Sequence, residues 1–378
     1  MKIIVDDKIP YIRESLARIT PDVAYIRGSE IKASDVRDAD ALIVRTRTYC
    51  NRALLEGSRV QFVATATIGI DHLDTDWLDS AGIHWVNCPG CNAASVGQYI
   101  ETSLMRLGFT SGTVGIVGCG HVGTEVKGVC ERMGLKTIVN DPFIDDPSFV
   151  SLEDVMTSAD VITFHVPLTR RGPHPTWHLA DKAFFSHFND LRSWPVECII
   201  NTSRGGVIDE QALLEAMDEG VVENAVIDTW EGEPDINSEL LDRAFIATPH
   251  IAGYSADGKV TADNMVIDAL CRHFGIDNPG EVTPPALPPD FVYNGSPLDL
   301  YDPLVDTARL RSNPVGFEEL RGNYPLRREF HYGSYRTQRQ NHCTKQVKCA
   351  VLDVGFCTII GCLCIFLHFL HKKFANVK

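Results

Sequence analysis

The chain has 378 residues, 44% of them hydrophobic and 22% charged, and a formal net charge of −15. That length supports two domains with a sizeable core, and the acidic balance argues against nonspecific nucleic-acid binding, so an anionic ligand needs a local cluster of cations. The start, Met1-Lys-Ile-Ile-Val-Asp-Asp, lacks the basic and apolar regions of a signal peptide, and the twelve cysteines are irregularly spaced in a long chain, so a cytoplasmic protein without a disulfide framework is expected.

Short apolar runs alternate with helix-like stretches. Strands are predicted at 2–5, 41–44 and 62–66, with helices at 11–19 and 51–55 between them. A helix follows at 95–107. Then come a strand at 113–117, a helix at 122–133, a strand at 137–140, a helix at 152–159 and a strand at 161–166. A strand at 198–201, a helix at 210–219 and strands at 224–228 and 245–248 complete the alternation. This pattern implies an α/β fold of two doubly wound parallel-sheet units. The first covers about 1–92 and the second about 93–254. A helix at 256–274 is expected to cross back and complete the first unit over about 255–280. The Pro-rich stretch 282–290 reads as a linker within a 281–330 connecting segment.

Residues 331–378 stand apart. They hold seven Lys/Arg against one acid, Asp353, and five of the twelve cysteines. Residues 354–370 are 17 uncharged, mostly apolar residues, at the lower limit for a membrane-spanning helix. The reading adopted is an atypical end that does not fold with the body, with membrane contact not expected.

Gly118-Cys-Gly120-His121-Val122-Gly123 follows the strand 113–117 and opens a helix. In that context the first glycine permits a tight turn, the second lets the backbone approach a pyrophosphate, and the third lets helix pack on strand. Asp141, eighteen residues past Gly123 at the end of the next strand, suits the ribose hydroxyls of NAD and would repel the 2′-phosphate of NADP. NAD is therefore the expected cofactor, and no metal site is expected.

Three more segments follow strands on the side of the glycine loop: Asn201-Thr-Ser-Arg204-Gly-Gly, Asp228-Thr-Trp-Glu-Gly-Glu233-Pro and Thr248-Pro-His250-Ile-Ala-Gly-Tyr254. Ligands of open parallel sheets bind beyond the carboxyl ends of strands. Hydride transfer from a 2-hydroxy acid needs a base for the hydroxyl proton, a cation for the carboxylate, and a carboxylate to stabilise the protonated base. His250 suits the base, Arg204 the cation, and Glu233 the partner that orients the imidazole. Each residue alone has a bland reading as a surface charge, a turn or a solvated histidine. The ordered set behind a cofactor loop does not.

This arrangement resembles the D-isomer-specific 2-hydroxyacid dehydrogenase family, which uses an Arg, Glu, His set in this chain order. Further motifs narrow the resemblance over about residues 1–330. They are Val44-Arg-Thr-Arg-Thr, Ala64-Thr-Ala-Thr-Ile-Gly-Ile-Asp71-His72, Cys88-Pro-Gly-Cys-Asn-Ala, Gly172-Pro-His-Pro-Thr-Trp-His-Leu, His250-Ile-Ala-Gly-Tyr254 and Leu320-Arg-Gly-Asn-Tyr-Pro-Leu-Arg-Arg-Glu329. They point to members that oxidise the C2 hydroxyl of a phosphorylated 2-hydroxy acid in pyridoxal phosphate synthesis. The resemblance implies a Rossmann NAD-binding domain and a flavodoxin-like substrate domain. It implies that Arg204 holds the substrate, Glu233 pairs with the base and His250 is the acid/base. Asp141, Asp228 and Gly253 would contact NAD, with Gly118, Gly120, His121, Val122 and Gly123 under the pyrophosphate. Thr46, Thr67 and Tyr254 would contact substrate. The substrate phosphate needs its own cations, for which Arg45 and Arg47 are chosen on chemistry alone. The family also implies a C-terminal dimerisation domain. Residues 301–329 look like its beginning, but the pattern stops after Phe330, so a homodimer is expected only if a partial, atypical segment folds.

Other readings compete. A family member acting on another acid, such as 3-phosphoglycerate, shares these motifs. A non-enzymatic NAD-responsive binding protein would share the cofactor loop but would not need Arg204, Glu233 and His250 together. Cys88-Pro-Gly-Cys91 is a C-x-x-C, which in a redox protein starts a helix with a lowered thiol pKa.

Overall fold

Runs such as Ile3–Asp6 and Ala41–Val44 are buried along their whole length. Strands covered on both faces have no polar side to alternate with, which is why they read as unbroken apolar runs. The computed structural model describes residues 1–329; the apolar run at 354–370 and the rest of the 331–378 segment lie outside the described residues.

Two parallel sheets form. β1 (Ile3–Asp6), β2 (Val23–Ile26), β3 (Ala41–Val44), β4 (Phe62–Thr65) and β5 (His84–Val86) pair in the order β2-β1-β3-β4-β5. This is the flavodoxin-like order. β6 (Thr113–Val117), β7 (Lys136–Asn140), β8 (Val161–Phe164), β9 (Val196–Asn201), β10 (Val222–Ile227) and β11 (Ile246–Ala247) pair in the order β11-β10-β9-β8-β6-β7. The chain reverses direction across this second sheet between β6 and β8, and a crevice at such a switch point is where ligands of doubly wound sheets bind. Two strands absent from the sequence reading, β2 and β5, are the edges of the first sheet and are only partly buried.

The helix Ala256–Phe274 forms over the predicted range and ends on Gly275 in the left-handed conformation, φ 65°. Its Ala262, Val266, Ile267 and Leu270 share an apolar cluster with Ile3, Val5, Ile43 and Phe62 of the first sheet. The helix Ala93–Leu107 packs the other way. Its Val96, Ile100 and Leu104 join Val114, Ile116 and Val126 on the second sheet. The chain thus passes between the sheets at 87–92 and at 248–255, and returns to the second sheet through the linker that leads to residue 303.

The segment after the linker closes the open edge of the second sheet. Thr307, on the helix Pro303–Ser312, accepts the N–H of Ala247 on β11 at 3.1 Å. Leu310 and Phe317 enter the second sheet's core. Arg327 is buried and donates to the Gln98 side chain at 2.9 Å, the Ile251 carbonyl at 3.2 Å and the Ser95 carbonyl at 2.6 Å. Arg328 pairs with Asp257 at 2.8 Å. Both arginines are thus engaged within their own chain. Among the described residues, no helix is long and apolar enough to cross a membrane.

Candidate active site

The glycine loop has the geometry its spacing predicts. Gly118 adopts φ 90°, and a Cβ there would lie 2.7 Å from the His165 carbonyl. A Cβ on Gly123 would lie 2.0 Å from the Gly118 carbonyl, so only glycine lets the helix His121–Arg132 start against the loop. A Cβ on Gly120, by contrast, would meet nothing within 4 Å. Its backbone faces open space at the helix N-terminus, as an approaching phosphate requires. Asp141 follows β7, and its carboxylate accepts the N–H groups of Cys119 at 2.8 Å and Phe143 at 3.0 Å, which fixes it at the mouth of the loop. Val122 packs against the core beneath. The His121 ring lies under the turn at Gly90, whose added Cβ would approach it to 3.0 Å. A further orphan group lies nearby: the Asn92 Oδ1 is buried without a partner, beside Gly253. The donors, the acid and the open glycine together fit a dinucleotide.

His250 is carried on a turn braced from below. Asp228, buried at the end of β10, accepts the Thr248 hydroxyl at 2.6 Å and the N–H groups of Ile251 and Ala252 at 2.8 and 2.9 Å. Burial raises the Asp228 carboxyl, outweighing the charge of His250 and these hydrogen bonds. Its side chain thus braces the turn that carries His250. Tyr99 adds a hydroxyl contact to Thr248 at 2.7 Å. On this platform the His250 Nδ1 meets both Glu233 oxygens, at 3.0 and 2.9 Å. Glu233 also accepts the Trp230 N–H at 3.0 Å. Burial pushes the Glu233 carboxyl up, but the hydrogen bond and charge of His250, with Trp230 and Arg321, outweigh it and hold it below its ordinary range.

Arg204 leaves β9 on a loop shaped by two close approaches. A Cβ on Gly205 would strike the Trp230 carbonyl at 1.9 Å, and one on Gly206 would strike the Trp177 ring at 2.4 Å. The 172–179 motif therefore acts as the lid of this loop, tied to it by the His178 N–H to the Gly206 carbonyl at 2.8 Å. The His178 ring bonds Glu231 at 3.0 Å. The Arg204 guanidinium reaches toward the first sheet, 3.6 Å from Asp71 and close over Gly69. Trp230 thus joins the backbone of this loop to the Glu233–His250 pair: its carbonyl lies against Gly205, and its N–H is bound by Glu233.

Thr67, Arg45, Gly253 and Tyr254 line one cleft between the sheets. The Thr67 hydroxyl touches Thr65 at 2.8 Å and the Gly69 carbonyl at 3.1 Å. Thr46 lies on the exposed turn after β3, outside this lining. Arg47 also lies outside this lining and forms an exposed ion pair with Glu318, which Arg321 shares.

Several residues here had no role in the sequence reading. His165, after β8, bonds the Thr163 hydroxyl at 2.9 Å, and burial pushes its pKa down to about 3, so it is a neutral ring. Arg321 lies 5.7 Å from the Tyr254 ring centre, with its Nε buried and unpartnered. Lys259, one turn into the 256–274 helix, lines the same cleft. Arg321 and Lys259 lie away from the strand ends, and His165, though directly after β8, has no glycine, acid or proline motif beside it that would single it out.

The C-x-x-C pair does not match a redox site. Cys88 is buried and donates its S–H to the carbonyls of Thr65 and Ala262, both at 3.4 Å. Burial raises both thiols, Cys91 to about 12, the opposite of an activated pair.

Comparison with known proteins agrees with this geometry. Residues 93–252 match the model of the D-isomer specific 2-hydroxyacid dehydrogenase, NAD binding domain. The cofactor is accordingly NAD, and the chain is an oxidoreductase. An erythronate-4-phosphate dehydrogenase of Bacteroides fragilis is 50% identical over 350 residues, covering 89% of this chain and 99% of that protein. One from Escherichia coli is 39% identical over 355 residues, covering 87% of this chain and 92% of that protein. Among solved structures, the NAD⁺-bound 3-phosphoglycerate dehydrogenase of Entamoeba histolytica superposes with a TM-score of 0.61 at 25% identity, covering 76% of this chain and 99% of that one. The chain belongs to the D-isomer specific 2-hydroxyacid dehydrogenases and, among them, to the erythronate-4-phosphate dehydrogenase family.

Proposed function

We propose that this chain oxidises the C2 hydroxyl of 4-phosphoerythronate to 2-oxo-3-hydroxy-4-phosphobutanoate, in pyridoxal phosphate synthesis. The observation that carries the mechanism is the double contact between His250 Nδ1 and Glu233. A carboxylate on Nδ1 fixes the proton there and leaves Nε2 as the base. Nε2 takes the hydroxyl proton of C2, and the charge that forms on the ring is stabilised by Glu233. Arg204 grips the C1 carboxylate and polarises the oxygen that becomes the carbonyl. Bound NAD supplies the acceptor for the C2 hydride.

In this reading the first sheet, with the 256–274 helix, holds substrate, and the 93–254 unit holds NAD. Gly118, Gly120, His121, Val122 and Gly123 lie under the pyrophosphate, and Asp141 takes the ribose hydroxyls. Gly253 and Asp228 contact NAD, Asp228 while also bracing the His250 turn. Thr67, Tyr254 and Arg45 contact the substrate, with Thr46 reaching it from the β3 turn. All cysteines of the described residues are free thiols, which fits a reducing compartment such as the cytoplasm. The protein works as a homodimer in this reading. Val305, Val315 and Leu326 support it, since they expose apolar surface at 49%, 97% and 43% on the segment after the linker.

The test is NADH formation by purified protein with 4-phosphoerythronate, 3-phosphoglycerate and an unphosphorylated 2-hydroxy acid. A 2-oxo acid is included in a parallel set to turn over retained NADH. Selective turnover of 4-phosphoerythronate is the expected result. Selectivity for 3-phosphoglycerate would reassign the substrate, and NAD binding without turnover of any acid would favour a sensor.

A further inference from the structure

The substrate reading leaves the phosphate without an adequate partner. Of the two arginines that chemistry suggests, Arg47 lies outside the cleft lining and turns to Glu318, a carboxylate that it shares with Arg321. Arg45 lines the cleft, where its guanidinium donates only to the Lys8 carbonyl at 3.1 Å. One arginine facing a phosphate would leave much of a dianion's charge uncompensated.

Lys259 supplies the second cation. It lies on the 256–274 helix, in the wall of the same cleft as Arg45 and Thr67. Its ammonium sits 4.9 Å from the centre of the Tyr254 ring. Among the described residues, neither Arg45 nor Lys259 has a carboxylate within ion-pair distance. Burial, with the charges of Arg45 and Arg327, pushes the Lys259 amine down to about 8. Two cations brought together without a paired anion are a destabilising arrangement. The one acid in the cleft wall is Asp263, a helical turn further on, and it offsets only part of that repulsion. Its Oδ2 is buried without a partner, and burial pushes its carboxyl up to about 7, which weakens it as a counter-charge for the two cations. A bound dianion would balance the two cations.

Resting on the proposed substrate, we propose that Lys259 and Arg45 together form the subsite for its phosphate, and that Lys259 is the residue by which the enzyme selects phosphorylated over unphosphorylated 2-hydroxy acids.

The experiment compares kcat/KM for 4-phosphoerythronate and erythronate in the full-length protein and in Lys259→Met and Lys259→Arg. Loss of a charge-assisted contact to phosphate lowers the preference for the phosphorylated acid by about 100-fold in Lys259→Met. The loss falls mainly on KM for the phosphorylated acid, and kcat/KM for erythronate falls far less. Lys259→Arg keeps most of the preference. A Lys259→Met enzyme that selects as wild type does overturns the subsite alone. A wild type that uses both acids alike overturns the subsite together with the substrate reading. Reductive methylation of the wild-type protein, read at Lys259 by peptide mass spectrometry, needs no variant. 4-phosphoerythronate should protect the amine and erythronate should not; equal protection by the two overturns the proposal.

Discussion

His250 has φ 55°, a left-handed conformation that residues with a Cβ seldom adopt. Such a conformation costs of order 1–3 kcal/mol and persists where its surroundings over-determine it. Here the His250 N–H donates to the Asp228 carbonyl at 2.8 Å, and the next two N–H groups converge on the Asp228 carboxylate. The ring is thereby aimed at Glu233 before substrate arrives, which is the preorganisation that a general base needs. Replacing His250 with Ala removes the proton acceptor and leaves the glycine loop untouched. Turnover should fall by about 1,000-fold, while NAD affinity, followed by fluorescence titration, stays within about 2-fold. Near-normal turnover would remove His250 from the role of base.

The strap between β10 and β11 that carries Glu233 is held by an acid outside the reaction. Glu210 opens the helix Glu210–Asp218, and its carboxylate accepts the N–H of Glu231 at 2.7 Å. Burial, reinforced by the charges of Glu231, Glu233 and Asp209 and partly offset by that hydrogen bond, pushes its pKa from 4.5 to about 7. A carboxyl raised on folding contributes stability that is fully present below pH 4.5 and lost as pH rises through about 7. Glu210→Gln keeps the acceptor oxygen without the charge. Its melting temperature should match that of wild type near pH 5 and exceed it at pH 8, by up to about 3 kcal/mol of stability. A constant difference across that range would mean that Glu210 does not titrate there.

Glu210 also illustrates what sequence alone conveys at this scale. The strand-end segments around Arg204, Glu233 and His250 were legible because each is a local run behind a buried apolar strand, and the glycine loop because its spacing is a backbone requirement. β2 and β5 were not, since edge strands are half-covered and lack the unbroken apolar run. Glu210, Arg321 and Lys259 take their meaning from neighbours far along the chain, such as the strap at 231 or the ring at 254, and nothing in their own sequence context marks them. Arg47 shows the converse: its charge suited a phosphate, but its side chain turns to Glu318, on a distant segment, and away from the cleft.

At the scale of the whole molecule, the 297–329 segment has two faces. Leu310 and Phe317 turn into the second sheet's core, while Val305 and Val315 turn outward. If the outward face joins two copies, Val315→Asp should shift the protein from dimer to monomer in sedimentation velocity without lowering its melting temperature. A wild-type monomer, or a variant that remains dimeric, would count against that face.

The crossings between the sheets have a consequence for substrate choice. His250 is anchored to β10 of the second sheet through Asp228, whereas Lys259 rides on a helix rooted in the first. Only a few residues, Ile251 to Asp257 among them, separate the two anchor points along the chain. The 87–92 segment and the linker to the 303–312 helix also join the two sheets. If Lys259 and Arg45 hold the phosphate, the gap between base and phosphate cations is set by how the two sheets sit, like the jaws of a calliper. An acid that sets its phosphate at another distance from C2 would then not meet base and cations together.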